Sequence, residues 1–251
     1  MNRLPIALQL HSVREEMKKD FPGTLKKVKD MGYEGVELAE LYGHDPKQVE
    51  KYLKEAGLTA IAAHVPYGEL VEDLPGTVSK YANLGVSYIA IPYLEEDKRY
   101  GTKSYEIFLE KIPLIAKECK KYGITLLYHN HDFEFLKTKD GEYVLDALFG
   151  QLSGEELQAE PDTCWIHVAG EDPSAYVRKY KGRCPVVHIK DYKTKDPVEF
   201  CAVGSGVQDI KGIYEACQES EVSWLVVEQD RHTQYSALED ARMSIEFLKN
   251  I

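Results

Sequence analysis

One pattern returns four times in the first half of the chain: a helical stretch ends, a glycine follows, and the sequence turns straight into an apolar run. It reads Met31-Gly32-Tyr33, Ala56-Gly57-Leu58, Leu84-Gly85-Val86 and Tyr122-Gly123-Ile124. Glycine suits that place because the residue after a helix commonly takes left-handed backbone angles that penalise a side chain. Strand-like runs at 6–10, 35–38, 59–64, 88–92, 125–130, 157–162, 186–190 and 224–228 alternate with amphipathic helical runs. The helical runs lie near 22–31, 46–56, 71–84, 104–121, 144–149, 173–180, 212–220 and 236–248. Pro22, Pro46 and Pro173 suit first helical turns, and Asp45 and Asp172 suit the N-cap before the latter two. Eight such units without a linker or low-complexity break predict one domain over 1–251, an α/β chain closed into a (β/α)8 TIM barrel. A doubly wound open sheet normally uses fewer strands, and no GxGxxG follows the first strand.

A barrel places its chemistry at the C-terminal ends of the strands. Polar residues collect there: Gln9 and His11, Glu37 and Glu40, His64, His129-Asn130-His131, Glu160 and Asp162, His188 with Lys190 and Asp191, and Glu228-Gln229-Asp230. Only the fourth strand, ending Ile91-Pro92-Tyr93, is mainly apolar. Side chains two apart on a strand share a face, so His129 and His131 point one way and Tyr128 and Asn130 the other. By the same parity His188 and Lys190 share the face of Val186. Burying unpaired charge is costly, so these groups are expected to pair with one another, with a metal or with a ligand. Asp162, His188 and Glu228 with a fourth group from the fifth strand make a mixed N/O set, suited to Mn, Zn or a similar divalent ion.

Composition narrows the partners. A formal charge of −11 opposes nucleic acid and anionic membrane at long range. No apolar run reaches spanning length, and the first residues show no signal-peptide core, so a cytoplasmic location is expected. Cys119, Cys164, Cys184, Cys201 and Cys217 form no CxxC pair and are expected as reduced thiols. P-loop, GxSxG and HExxH motifs are absent. Gly204-Ser205-Gly206 offers backbone N–H groups to an anion or makes a simple turn before a helix.

Seven pieces now carry a resemblance: Gln9-Leu10-His11-Ser12-Val13-Arg14, His64-Val65-Pro66-Tyr67, Tyr128 through Phe135, Asp162-Thr163, Val187-His188-Ile189-Lys190-Asp191, Gly204-Ser205-Gly206 and Val227-Glu228-Gln229-Asp230. Taken in strand order they resemble the sugar phosphate isomerase/epimerase family, with its xylose isomerase-like TIM barrel, in the superfamily of AP endonuclease family 2. The resemblance implies a divalent metal at the barrel mouth, binding adjacent sugar oxygens. Its epimerase members hold the ion with Glu, Asp, His and Glu from the last four strands; Asp162, His188 and Glu228 match, and His129 stands where the first Glu is expected. Trp165 stands near where many relatives have a histidine.

The implied enzyme is a metal-dependent sugar or sugar phosphate isomerase/epimerase that moves a proton next to a carbonyl. The metal ligands are His129, Asp162, His188 and Glu228. Glu228, His131 and Glu134 are the candidate bases, Lys190 supports the developing negative charge, and Gln9, Glu37, His64 and Lys190 hold substrate. The partner is a small carbohydrate, with assembly into a homo-oligomer left open. The alternatives are a lyase that cleaves 3-keto-glycosides by elimination, favoured by the His129 replacement, and a barrel that binds sugar without turnover. An endonuclease would need a basic surface that an acidic chain does not supply.

Overall fold

The computed structural model describes residues 3–251. Eight parallel strands form one sheet curled into a nearly closed barrel. They are β1 (Ile6–Gln9), β2 (Gly35–Leu38), β3 (Thr59–His64), β4 (Tyr88–Ile91), β5 (Thr125–His129), β6 (Gln158–Glu160), β7 (Val186–Ile189) and β8 (Trp224–Val227). From β1 to β6 each strand pairs with the next in the chain, and β8 lies between β1 and β7. The remaining join, β6 to β7, has no ladder. It is closed by a single parallel bridge, Asp162 with His188, in which His188 N donates to the carbonyl of Pro161 at 2.9 Å. Pro161 follows the short strand at once and has no N–H to extend the ladder. The seam of the barrel is thus built from two of the proposed metal ligands.

Strands 35–38 and 59–64 fall on their predicted bounds, while several others end a residue or two early as the chain curves into the mouth loops. The helix predicted over 71–84 is two helices, Tyr67–Glu72 and Leu74–Ala82. Asp73 between them accepts from Gly76 N at 3.1 Å and starts the second one. Two short helices, Arg14–Lys19 and Thr163–Ala169, are additional, as is an antiparallel hairpin of Asp191–Lys195 with Val198–Cys201. The helix Pro46–Ala56 has the ends read from sequence: Asp45 caps Lys47 N at 2.9 Å, and Gly57 takes φ +68. Among the described residues no helix is long and apolar enough to cross a membrane.

Strand periodicity stacks the barrel interior in tiers. The lowest is small and apolar and includes Ala7, Ala62, Ala90, Leu127, Val186 and Val226. Two residues further along the same strands come Gln9, His64, Pro92, His129, His188 and Glu228, joined by Glu37 and Glu160 from β2 and β6. One more step of two reaches His11, Pro66, His131, Asp162, Lys190 and Asp230. The helices cover the outer face, where one large apolar cluster runs from Ile6 to Leu248. The change from apolar to polar inside the barrel is abrupt and falls between one tier and the next.

Candidate active site

The middle tier is a closed network. Gln9 Nε2 donates to Glu37 Oε2 at 2.9 Å, and that oxygen lies 2.6 Å from His188 Nε2 and 3.3 Å from His64 Nε2. Glu160 Oε2 is shared by His64 Nε2 at 2.8 Å, His129 Nδ1 at 3.2 Å and His188 Nε2 at 3.4 Å. Burial pushes the Glu37 carboxyl up, but His64 and His188 together outweigh it and leave it below its ordinary value. Glu160 is pushed up to about 7 by burial and by the neighbouring Glu37. His188 is lowered by burial, yet Glu160 and Glu37 raise it far above the ordinary imidazole value. Gln9 and Glu37 are fully buried, so they form the floor of the site rather than its substrate-facing wall.

Above the floor, His129, Asp162, His188 and Glu228 each offer one ligand atom, and these atoms lie within 4.8 Å of one another. His188 Nδ1 is 2.9 Å from Glu228 Oε2, and His129 Nε2 is 3.6 Å from Asp162 Oδ2. Lys190 Nζ stands beside this set, 3.0 Å from Asp162 Oδ2, 3.0 Å from Glu228 Oε2 and 3.1 Å from Asp230 Oδ2. Burial lowers the Lys190 ammonium, but Asp162, Asp230 and Glu228 outweigh it and hold the proton on. Asp162 Oδ2 is buried and, despite the nearby ammonium, accepts no hydrogen bond. Two imidazole nitrogens and two carboxylates, with Asp162 Oδ2 held by ion pairs alone, fit a borderline divalent cation. A second set, His64, His129, Glu160 and His188, has the same span but borrows two of the same imidazoles.

Local structure explains the placement. Asp162 is the N-cap of the helix Thr163–Ala169: its Oδ1 accepts from Cys164 N at 2.9 Å and Trp165 N at 3.0 Å, which leaves Oδ2 facing the barrel. Asp162 N donates to Asn130 Oδ1 at 3.0 Å, and Thr163 Oγ1 donates to the carbonyl of His188 at 2.9 Å, so the seam is pinned from both sides.

The mouth is a cleft of about 370 Å³ lined by His11, His64, His129, His131, Lys190, Glu228 and Asp230, with Ala39, Pro66, Pro92 and Tyr93 on the apolar side. His131 is lowered to about 3 by burial and then by Lys190, so its ring is neutral, and its Nδ1 has no partner. Its edge meets Tyr93 at 5.3 Å between centroids, and Phe133 stacks on it at 5.7 Å. Trp165 stands behind, 5.5 Å from the His131 ring and 5.6 Å from Lys190 Nζ.

Seven of the residues singled out from sequence meet here: His64, His129, His131, Asp162, His188, Lys190 and Glu228. Glu134 does not. It lies behind β5, where its carboxyl accepts from Tyr128 OH at 2.7 Å and His131 N at 2.8 Å. Glu160 and Asp230 join the site without having been selected, although both sit two residues from a selected position on the same strand face. The Gly204 and Gly206 N–H groups do hold an anion, the Asp191 side chain, at 3.0 and 2.9 Å.

Comparison with known proteins agrees with this architecture. Inosose dehydratase of Lacticaseibacillus casei is 23% identical over 237 residues, covering 80% of this chain and 78% of its own length. A sugar phosphate isomerase/epimerase from Parabacteroides distasonis superposes with a TM-score of 0.86 at 23% identity, covering 99% of this chain and 98% of that one. The 3-keto-D-glucoside 4-epimerase of E. coli superposes with a TM-score of 0.72 at 14% identity, covering 93% and 95%. The sequence profile of the family described as "Xylose isomerase-like TIM barrel" matches residues 25–251. With that match over most of its length, the chain belongs to the xylose isomerase-like TIM barrel family.

Proposed function

We propose that this protein is a divalent-metal-dependent enzyme that removes a proton next to the carbonyl of an unphosphorylated sugar ketone and expels a substituent from the neighbouring carbon. His129, Asp162, His188 and Glu228 would hold the ion. When bound, it supplies Lewis acidity toward the carbonyl and the adjacent hydroxyl.

The observation that carries the reading is the one-sided placement of base and acid. Glu228 Oε2 is taken by His188 and Lys190, which leaves Oε1 for the mouth. Burial raises the Glu228 carboxyl, but Lys190 and His188 together hold it far below its ordinary value, so it is ionised and able to accept a proton. The mouth has one other carboxylate, Asp230, two residues along the same strand exit. Epimerisation returns the proton to the opposite face and needs a second base there. Elimination needs one base and one acid. The proton passes from carbon to Glu228, the bond to the departing oxygen breaks, and that oxygen is protonated from Lys190 or His64. Neutral His131, whose ring lines the mouth, would hold a substrate hydroxyl.

Lys190 is already shared among three carboxylates, and the lining residues add no other lysine or arginine for a phosphate. Relatives named inosose dehydratase support loss of water as the outcome. A one-face isomerisation between aldose and ketose uses the same base, and the sugar phosphate isomerase/epimerase neighbour favours it as the second reading.

Incubation of the manganese- or zinc-loaded protein with keto-cyclitols, 3-keto-glycosides and free ketoses in deuterated water separates the cases. Loss of water or aglycone, abolished by chelation and by Glu228→Ala, is expected. Deuterated epimer with no lost substituent would overturn the elimination reading, and turnover unaffected by chelation would overturn the metal requirement.

A further inference from the structure

His129 and His188 each face the floor with one ring nitrogen and the proposed cation set with the other. His188 presents Nε2 to Glu37 Oε2 at 2.6 Å and Nδ1 to Glu228 Oε2 at 2.9 Å. His129 presents Nδ1 to Glu160 Oε2 at 3.2 Å and Nε2 to Asp162 Oδ2 at 3.6 Å. A neutral imidazole has one N–H and one lone pair, and a metal ligand needs the lone pair on the side of the ion. The upper carboxylates cannot select that arrangement, because an acceptor beside the upper nitrogen favours an N–H there. The selection has to come from below.

We propose that Glu37 and Glu160 are positioning residues, which keep the proton of His188 on Nε2 and that of His129 on Nδ1 and so leave the upper nitrogens free for a divalent ion. Glu37 is itself fixed. Gln9 Nε2 donates to the same oxygen, and Gln9 Oε1 is held by the backbone N–H of His11 at 3.0 Å. A chain of contacts thus runs from the turn after β1, through an amide and a carboxylate, to an imidazole on β7, two strands from β1 around the sheet. Neither glutamate lines the mouth, so neither has a direct part in substrate binding. Carboxylates behind metal-bound histidines typically change metal affinity by about 10- to 100-fold. The inference rests on the metal reading above and adds the residues that prepare the ligands.

The test is zinc binding by the full chain against a competing chromophoric chelator, with nitrogen-15 spectra of the histidine rings, for wild type, Glu37→Gln, Glu37→Asp and Glu160→Gln. One zinc per chain is expected in the wild type, bound roughly 10- to 100-fold more weakly in Glu37→Gln. A smaller loss is expected in Glu160→Gln, whose contact to His129 is longer, and partial recovery in Glu37→Asp. Glu37→Gln takes a buried carboxylate from His188 and should melt lower without zinc, so zinc affinity and the ring spectra, rather than the melting temperature, separate a positioning role from a merely structural one. In zinc-free wild type the His129 proton should sit on Nδ1, and Glu160→Gln should mix the tautomers.

Unchanged zinc affinity in both Gln variants, or a His129 proton on Nε2, overturns the inference and leaves the metal site standing. Two zinc ions per chain also overturn it, because the second would use the lower nitrogens as ligands. If the wild type binds no zinc, the metal reading falls, and the ring spectra alone decide whether the glutamates set the tautomer.

Discussion

The barrel interior and the pocket behind β5 each bury a glutamate almost completely, Glu37 at 0% exposure and Glu134 at 2%, and treat it in opposite ways. Glu37 faces two imidazoles and stays ionised, below its ordinary value. Glu134 is pushed up to about 7 by burial, against the pull of Tyr128 OH and the His131 N–H. Its cavity, about 250 Å³, is lined by Leu94, Tyr105, Phe133, Val144 and Leu148 among others. Arg99 also lines it, but the guanidinium is spent elsewhere. It lies 3.5 Å from the Phe133 ring centroid and donates to the Leu94 carbonyl and Tyr93 OH. Hydrogen-bonding dipoles alone hold a buried carboxylate less well than a cationic partner does. Glu160, beside Glu37 in the floor, is pushed up to about 7 as well, so what separates Glu37 from Glu134 is its cationic partners and not its side of β5.

Removing the cation breaks the contrast, with the largest effect expected. His188→Ala leaves Glu37 and Glu228 without their shortest imidazole contacts. A buried charge stripped of its partner costs about 3–5 kcal/mol, so urea unfolding near pH 7 should show a loss of that order. Zinc binding should vanish with it. A loss under 1 kcal/mol would show that the floor is not held together by charge.

The second prediction sharpens the contrast. Glu134 has a folded-state pKa of about 7 against an ordinary 4.5, so between these values the folded chain keeps a proton that the unfolded chain has released. The stability gained from this is complete below the lower value and is lost as pH rises through the upper one. Glu134→Gln abolishes that dependence. Compared with wild type it should gain on the order of 3 kcal/mol between about pH 4.5 and pH 8. Parallel unfolding curves at the two pH values check it, and an equal difference at both would place the Glu134 pKa near its unfolded value.

How far the sequence could be read follows the same line. All eight barrel strands follow from the alternation of apolar runs with helical ones, and Asp162, His188 and Glu228 from polar residues at strand ends. Parity does not separate His129 from His131, and only the family resemblance points to His129 as the fourth member. Parity places Glu160 with Asp162, but the turn residues around Pro161 hide how short β6 is. Glu134 deceives for a physical reason: it is close in sequence to the histidines, but the short 3-10 turn Phe133–Phe135 carries it behind the strand. Tyr128, on the opposite parity from His129, is the residue that receives it. The helix Thr163–Ala169 is nearly invisible because its single turn-starting signal, Asp162, reads equally well as a metal ligand, and the structure allows both: Oδ1 caps the helix and Oδ2 faces the barrel.

The smallest effect is the most specific. Tyr128→Phe deletes the O–H that donates to Glu134 Oε1 at 2.7 Å and leaves the aromatic packing against Phe108 in place. That hydrogen bond favours the ionised carboxyl, so its loss should raise the Glu134 pKa further and cost about 1 kcal/mol at pH 8, with less lost at pH 5. The His131 N–H remains as the second donor, which limits the change. In the Glu134→Gln background the pH dependence of the Tyr128→Phe effect should disappear, because an amide does not titrate. A double-mutant cycle at the two pH values isolates the coupling. If the coupling is the same at both, the tyrosine serves Glu134 only as packing, and burial sets the Glu134 pKa without it.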